Sequence, residues 1–331
     1  MKHWDIYARE LMSLGFGHPL WHPEPSLQFG QIRLGDVGYL RKGRFRFLFN
    51  SMHSAEHPVN ATKGVPSGFE EFKPPGNPVR RDRDEITQTE LHSKSLQSLS
   101  IAATASAGGT SMSASIGLRY QCSEESGALL MLKQPGHKTS LDCGMHIRRY
   151  MRAHLTNWCD FANGGHLGIG LQEKDLIFVS GFVKTSVWAT AAFQNNCSSG
   201  ELLVTGGCFV PSASGEFRVS MSKGTIGSVF SNTGPRGRLS TLQAGSEAPT
   251  DSDQCIFLQY YKVKSRKLRL PAVMRAAAGP HEMEYGPDDD DSCDRPVGCA
   301  GSSTSSSDED IDSFYPNYDP IDKLLDYILQ V

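Results

Sequence analysis

The residues of this chain that could bind a metal are two cysteines and two histidines on or near one predicted helix. Cys143 precedes His146 by three positions, and His154 precedes Cys159 by five. At these spacings four side chains of a single helix cannot converge tetrahedrally on one zinc ion. A catalytic cysteine–histidine pair would need a proximity that the sequence does not indicate. We therefore predict no metal site.

Two further segments resemble nucleotide-binding motifs only superficially. The glycines between Gly165 and Gly170 have the spacing of neither a dinucleotide-binding loop nor a P-loop. Lys184-Thr185-Ser186 lacks the preceding glycines of a Walker loop. We predict a non-catalytic protein with no cofactor and no small-molecule substrate. An enzyme whose site no motif marks is kept as a third alternative.

Charge is distributed unevenly along the 331 residues, whose formal net charge is −3. Residues 282–331 contain 14 acids and two bases, whereas the preceding residues contain 31 bases and 22 acids. A basic body joined to an acidic tail can attract an anionic partner, or the tail can fold back on the body. A tail that only improves solubility would give the same pattern.

Two basic groups are candidates for binding anionic lipid head groups. One is the run 262–269, and the other lies on the helix predicted over 142–162. Each Lys or Arg held near an anionic membrane contributes about 1 kcal/mol to binding. The run would also suit nuclear import, nucleic-acid binding or a solvated strand end. The predicted lipid contacts are Lys262, Lys264, Arg266, Lys267, Arg269, Arg148, Arg149 and Arg152.

The stretch 97–120 predicts a long hairpin built from small residues. Apolar and small polar residues alternate on both sides of Gly108-Gly109. A membrane-spanning strand needs about 9–11 residues with apolar side chains at alternate positions. A glycine-rich edge hairpin of a water-exposed domain would look similar. The positions predicted to enter a membrane are Leu99, Ile101, Ala103, Ala105, Met112, Ile116 and Leu118.

The remaining pattern predicts the fold class. Hydrophobic residues make up 38% of the chain, enough for one large core. We predict an α+β fold, a β-rich single domain with a twisted antiparallel sheet and hairpins, and one main helix packed on the sheet. The predicted helices are a short one over 1–15 and the main one over 142–162. Further hairpins are predicted over 32–49, 176–193 and 202–221, and the second of these turns at Ser180-Gly181. Single strands are predicted over 128–133 and over 255–263, and the strand over 255–263 is predicted to be the last one.

Three segments are predicted along the chain. Residues 1–281 form the globular domain, with a pore-forming-like core at about 96–264. Residues 282–318 form a disordered acidic linker, because they cannot bury enough apolar surface to offset chain entropy. Residues 319–331 form a short amphipathic helix that Asp319 can cap. Its apolar face, suited to the groove of a partner protein, comprises Ile321, Leu324, Leu325, Ile328 and Leu329.

The same features predict a compartment. Residues 1–15 carry charges throughout and lack the apolar region of a signal peptide. The longest apolar run, 176–183, is too short to cross a membrane as a helix. The eight cysteines contain no CxxC pair, which indicates reduced thiols. We predict a cytoplasmic protein that associates with membranes on activation.

Two resemblances add to this prediction. Residues 17–25 (GHPLWHPEP), 35–39 (GDVGY), 175–185 (DLIFVSGFVKT) and 319–329 (DPIDKLLDYIL) resemble a large family of proteins from mushroom-forming (basidiomycete) fungi. That resemblance covers nearly the whole chain and implies no function. The order of elements over 96–263 resembles the pore-forming domain of gasdermins, with a small-residue hairpin, a helix, a strand pair, a second hairpin and a closing strand. Residues 1–60 do not share the resemblance.

The gasdermin resemblance implies a cytosolic, non-enzymatic protein that causes cell death by oligomerising into membrane pores. Hairpins 97–120 and 201–222 would insert, with anionic lipids and other copies of the chain as partners. The acidic tail would restrain the body until a protease removes it or it is displaced. The alternative hypothesis is a non-catalytic adaptor or scaffold that binds a partner protein through the helix at 319–329.

Overall fold

The structure is a computed structural model that describes residues 1–105, 114–194, 201–205, 218–223, 228–235, 252–266 and 269–276. These residues form a β-rich α+β domain with three antiparallel sheets, which confirms the predicted fold class. The helices are α1 (His3–Met12), α2 (Pro58–Ala61) and α3 (Gly144–Asn163), and a 3-10 helix spans Glu173–Asp175.

The strands of the described residues number sixteen. They are β1 (His18–Pro19), β2 (Asp36–Arg41), β3 (Arg44–Asn50), β4 (Val79–Ile86), β5 (Glu90–His92), β6 (Leu96–Ala105), β7 (Ala114–Cys122), β8 (Ser126–Leu132), β9 (Gly136–Leu141), β10 (Ile177–Thr185), β11 (Trp188–Gln194), β12 (Glu201–Thr205), β13 (Arg218–Lys223), β14 (Ser228–Gly234), β15 (Gln254–Arg266) and β16 (Arg269–Ala276).

The largest sheet has eight strands and is organised around β10 and β15. These two strands pair from Ile177 opposite Lys262 to Thr185 opposite Gln254. The edge of β10 that faces away from β15 pairs first with β2 and then with β9. The edge of β15 that faces away from β10 pairs with β1 and with β16. Strands β3 and β4 continue the sheet beyond β2 and β9.

Helix α3 covers one face of this sheet. Its apolar residues Ile147, Met151, Leu155 and Trp158 recur every three or four positions, so they form one stripe, and all four are buried. The Trp158 ring contacts Phe49 of β3 edge to face, with ring centroids 5.7 Å apart. The helix predicted over 142–162 and its apolar stripe are therefore confirmed.

Helix α1 packs on the second sheet, which has the strand order β14-β11-β8-β5. Tyr7 and Leu11 of the helix are buried against Leu130 of β8 and Trp188 of β11. Polar contacts fix the helix at the start of β8, where Arg9 Nη2 donates to Ser126 Oγ at 2.6 Å. The short helix predicted over 1–15 is thus part of the core.

The hairpin predicted over 176–193 is wrong. Strand β10 runs through Ser180-Gly181 with a β-bulge between Val179 and Gly181, and β10 and β11 belong to different sheets. A Cβ at Gly181 would lie 2.6 Å from Gln259 Oε1 and 2.9 Å from Thr139 O. The glycine is therefore required by the close approach of neighbouring strands and not by a turn.

The prediction that the strand over 255–263 is the last one is also wrong. Strand β15 extends to Arg266, and β16 returns beside it from Arg269. The basic run 262–269 therefore forms the turn end of a hairpin and does not follow the sheet as a separate segment. Its charges hide the strand signal because Lys is depleted in strands and a run of cations resembles a solvated end.

We expect Trp158→Ala to lower the free energy of unfolding by about 3–5 kcal/mol, because the indole is 1% exposed and its removal leaves a cavity between α3 and the sheet. Met145→Ala on the same helix is the control, since Met145 is 70% exposed and should change stability by less than about 0.5 kcal/mol. Urea unfolding measures both. Equal losses in the two variants would contradict the packing described.

Candidate functional site

The two four-stranded sheets have matching strand orders. The second sheet has the order β14-β11-β8-β5, and the third has β13-β12-β7-β6. Each strand of the third sheet is a neighbour along the chain of the strand at the same place in the second. The third sheet therefore continues the second strand by strand, and hairpins predicted far apart in sequence meet in it through β7 and β12.

The backbone register of the first hairpin places predicted membrane-inserting positions opposite one another. Ile101 pairs with Leu118, and Ala103 pairs with Ile116. Ala105 pairs with Ala114 at the last described position before the turn. The register shifts between Ser98 and Ser100, so Leu99 lies at a β-bulge and not in the regular alternation. Met112 lies outside the described residues.

The base of this hairpin is anchored in the core. Leu96 of β6 and Tyr120 of β7 are buried against Leu129, Met131 and Phe193 of the second sheet. The Tyr120 hydroxyl donates to the carboxylate of Glu90 on β5. The second sheet thus lies between helix α1 on one face and the base of the first hairpin on the other.

Serine side chains occupy the junctions between the two sheets that the structure describes. Ser93 and Ser95, between β5 and β6, have hydroxyl oxygens 2.6 Å apart. The Ala128 amide donates to Ser93 Oγ at 3.1 Å, and Ser123 Oγ donates to the Ser95 carbonyl at 3.1 Å. The Ser93 hydroxyl thus satisfies the Ala128 amide in place of a backbone carbonyl, whereas the Ser95 carbonyl also accepts from the Ser123 amide at 2.9 Å. The junction is therefore a polar joint in an otherwise regular pair of strands.

The structure places the three predicted helix arginines on the surface of α3. Arg149 and Arg152 are exposed and Arg148 is half-buried. Within the described part of the chain, none of the three lies within 4.0 Å of a carboxylate. Their charges are therefore available to an anionic partner.

The basic run is divided between β15 and β16. Lys264 lies opposite Ala272, and Arg266 lies directly opposite Arg269 at the end of the ladder. Lys262 is only 4% exposed, so the predicted lipid contact of this residue does not fit the surface of this conformation. Lys267 lies outside the described residues, as do the docking positions Ile321, Leu324, Leu325, Ile328 and Leu329.

The hairpin predicted over 32–49 is formed by β2 and β3, but its turn end was not predicted as a second basic site. Arg41 lies opposite Arg44, and Arg46 follows two positions later on the same strand face. Ile177, the first residue of β10, pairs with Gly38 of β2 on one side and with Lys262 of β15 on the other. Both partner strands continue past this residue, so the turn ends of β2–β3 and β15–β16 lie at the same end of the sheet. The signal in the sequence was the density of cations over 41–46, four in six residues.

A buried polar network lies behind the β2–β3 hairpin. Asp36 Oδ1 accepts from Asn50 Nδ2 at 2.7 Å, and Asp36 Oδ2 accepts from the Arg33 amide at 2.8 Å. Burial raises the pKa of Asp36 to about 7, although the bond from Asn50 opposes that shift. Burial also lowers the pKa of Lys184 to about 8. Lys184 Nζ donates to the Ile32 carbonyl at 2.6 Å, so β10 holds the loop before β2 through this amine.

Burial disfavours ionisation of the cysteine side chains that the structure describes. Cys143 and Cys255 are buried, and burial raises their thiol pKa values to about 11 and about 12. Both are free thiols, as is Cys159. Raised pKa values disfavour the nucleophilic thiolate form.

No helix within the described ranges is long and apolar enough to cross a membrane.

Comparison of the chain with protein-family models, with curated proteins and with solved structures found no match. Functional inference therefore rests on the geometry of the chain itself. The features available for it are the continued four-stranded sheet, the basic hairpin ends and the buried network behind β2–β3.

The raised pKa of Asp36 makes stability depend on pH. Between the ordinary carboxyl pKa near 4 and about 7, the folded chain holds a proton that the unfolded chain releases. The free energy of unfolding should therefore fall as pH rises through this interval. Asp36→Asn cannot titrate, so its stability relative to wild type should increase between pH 4 and pH 7 in thermal unfolding.

The control for this prediction is Ser51→Ala, which removes a non-titrating member of the same region. Ser51 is buried, and its hydroxyl donates to the Gly35 carbonyl at 2.8 Å. Its loss should lower stability by an amount that is constant across this pH range. A constant difference between wild type and Asp36→Asn would contradict the raised pKa.

Proposed function

We propose that this chain is a membrane-permeabilising protein of gasdermin-like type, whose two small-residue hairpins form the inserting element. The observation that carries the proposal is the matching strand order of the second and third sheets. Two hairpins that insert together must first lie side by side, and the pairing of β7 with β12 provides that arrangement.

Strand length in the first hairpin supports the proposal. Strands β6 and β7 have 10 and 9 residues, within the range of about 9–11 that crosses a bilayer. Their described residues already form an antiparallel ladder, so most backbone groups would enter the membrane paired. That pairing matters because an unpaired backbone group in hydrocarbon costs several kcal/mol.

The open sides of the third sheet support self-association. Among the described residues, β6 pairs only with β7 and β13 pairs only with β12. Each copy therefore offers one strand edge on either side, and edge strands readily pair with a strand of another chain. Addition of copies through β6 and β13 would close a ring of strands without leaving an unpaired edge in the membrane.

The basic surfaces supply the attraction to an anionic membrane. Arg148, Arg149 and Arg152 are the predicted cations that lie on the surface of α3, and Lys264, Arg266 and Arg269 belong to strands β15 and β16. Residues 282–331 carry the opposite charge. In the proposal this acidic segment restrains the body until it is cut or displaced, because it competes with anionic lipid for the same cations.

The test is dye leakage from vesicles that contain anionic lipid. A site for a sequence-specific protease is engineered within 282–318, and the full chain is cut after it has folded. We expect leakage only after cleavage. Leakage before cleavage would contradict the restraint, and no leakage from either form would contradict the pore and leave the adaptor hypothesis.

Charge in the first hairpin provides a sharper test. Ala103→Arg should reduce leakage after cleavage roughly tenfold or more, since Ala103 lies inside strand β6 and not at its end, and an arginine near the bilayer midplane costs about 2–4 kcal/mol per strand. Ala61→Arg is the matched control, because Ala61 is exposed at the end of α2, outside the third sheet. Equal leakage from the two cleaved variants would exclude insertion of this hairpin.

A further inference from the structure

A cavity of 510 Å³ lies between residues 22–32 and the β2–β3 hairpin. Its volume is in the range of about 300–1,000 Å³ that small-molecule sites occupy. Two carboxyl groups, Glu24 and Asp36, are part of its lining. Five cationic side chains line it as well, namely Arg41, Lys42, Arg44, Arg46 and Lys63.

The charges are separated along the cavity. Asp36 begins β2, and its two oxygens are already bonded to Asn50 and to the Arg33 amide. Arg41 ends the same strand, roughly 17 Å away at about 3.4 Å per residue. Glu24 accepts from Arg44 Nη2 at 3.3 Å, which satisfies one of the cations. The cavity therefore has one strongly cationic end, at the turn of the hairpin.

Like charges are held together at this end at a cost to stability. Arg41 lies directly opposite Arg44, a placement that destabilises an antiparallel pair. Lys63 Nζ donates to the Phe47 carbonyl at 2.5 Å, and its pKa is lowered first by burial and then by the charge of Arg46. An anion bound beside Arg46 and Lys63 would relieve the repulsion between these two cations.

The walls of the cationic end are fixed before any ligand binds. Lys42 and Gly43 form the turn with φ angles of 52° and 70°, the left-handed pair that a tight hairpin requires. A Cβ at Gly43 would lie 2.7 Å from Cβ of both Trp4 and Trp21, so the turn rests on the core. The His22 amide donates to the Gly43 carbonyl at 3.1 Å, which joins the two walls.

The interior of the cavity adds an apolar surface. Phe29 and Phe47 both line it, with ring centroids 5.1 Å apart, and Lys63 Nζ lies 4.8 Å from the centre of the Phe29 ring. A ligand that fills this space must carry several negative charges at one end and an uncharged part at the other. One carboxylate carries a single charge, whereas a phosphate monoester carries up to two and matches the arginine fork.

We propose that this cavity binds a phosphorylated compound, with its phosphate held by Arg46 and Lys63 and its uncharged part against Phe29 and Phe47. The phosphate belongs either to a soluble compound or to a lipid head group, and the chemistry of recognition is the same. The inference goes beyond the proposed pore and does not require it.

Isothermal titration calorimetry of the full-length chain with inorganic pyrophosphate tests the cationic end directly. We expect saturable binding that Arg46→Gln weakens about tenfold or more, the loss of a charge-assisted hydrogen bond. Arg83→Gln is the matched control, an exposed arginine on β4 outside the cavity and outside the proposed lipid contacts, and should change affinity less than about twofold. If Arg46→Gln lowers the thermal unfolding midpoint, Lys63→Gln is titrated with pyrophosphate as a second test.

Vesicle sedimentation distinguishes the two sources of phosphate. Phosphatidylcholine vesicles with phosphatidic acid present a monoester, and those with the same fraction of phosphatidylglycerol present a diester. Preference for phosphatidic acid that requires Arg46 assigns the site to a lipid head group. Pyrophosphate binding without that preference assigns it to a soluble compound. Absence of binding to both probes, or equal losses in Arg46→Gln and Arg83→Gln, would overturn the proposal.

Discussion

The ladder between β10 and β15 is the constraint on which the rest of the structure depends. These two strands contribute to three separate core clusters, because the bulge at Val179 and Gly181 changes which side chains face each layer. Phe178 and Tyr261 pack under α3, whereas Val183 and Phe257 pack with helix α1. Residues of the β10–β15 ladder therefore connect helices α1 and α3 to the sheets. Among the described residues, the third sheet contacts the core through Leu96 and Tyr120, which pack against the second sheet and not against this ladder.

The sequence determined the elements far better than their arrangement. Helix α3 and hairpin 97–120 were predictable because a stripe of period 3.6 and an alternation of period 2 are local properties. Membership of a sheet is not local. Ser180-Gly181 has the composition of a turn, and only the packing of Thr139 and Gln259 against Gly181 shows that the strand continues. Strand β16 was missed because the charges of 262–269 resemble a solvated end.

The candidate site was partly predictable for the same reason. Alternation predicted the hairpin positions around Ile101 and Ile116, whereas the meeting of the two hairpins through β7 and β12 depends on contacts between distant segments. The lysine and arginine clusters on α3 and around 262–269 are visible as composition. The burial of Lys262 and the cavity beside Arg46 are not, because each needs residues from elements far apart in the chain.

The pairing of Leu118 with Val204 also determines when the third sheet can form during synthesis. The segment between them includes β8 to β11 and α3, so the ribosome delivers the first hairpin long before its partner. Closing such a long loop is slow, and an unpaired strand edge meanwhile invites aggregation. A newly made hairpin rich in alanine, serine and glycine exposes little apolar side-chain surface to other chains during that interval. Because alanine, serine and glycine predominate at 97–120, this stretch exposes less apolar side-chain surface before residues 201–223 are made than a strand of large aliphatic residues would.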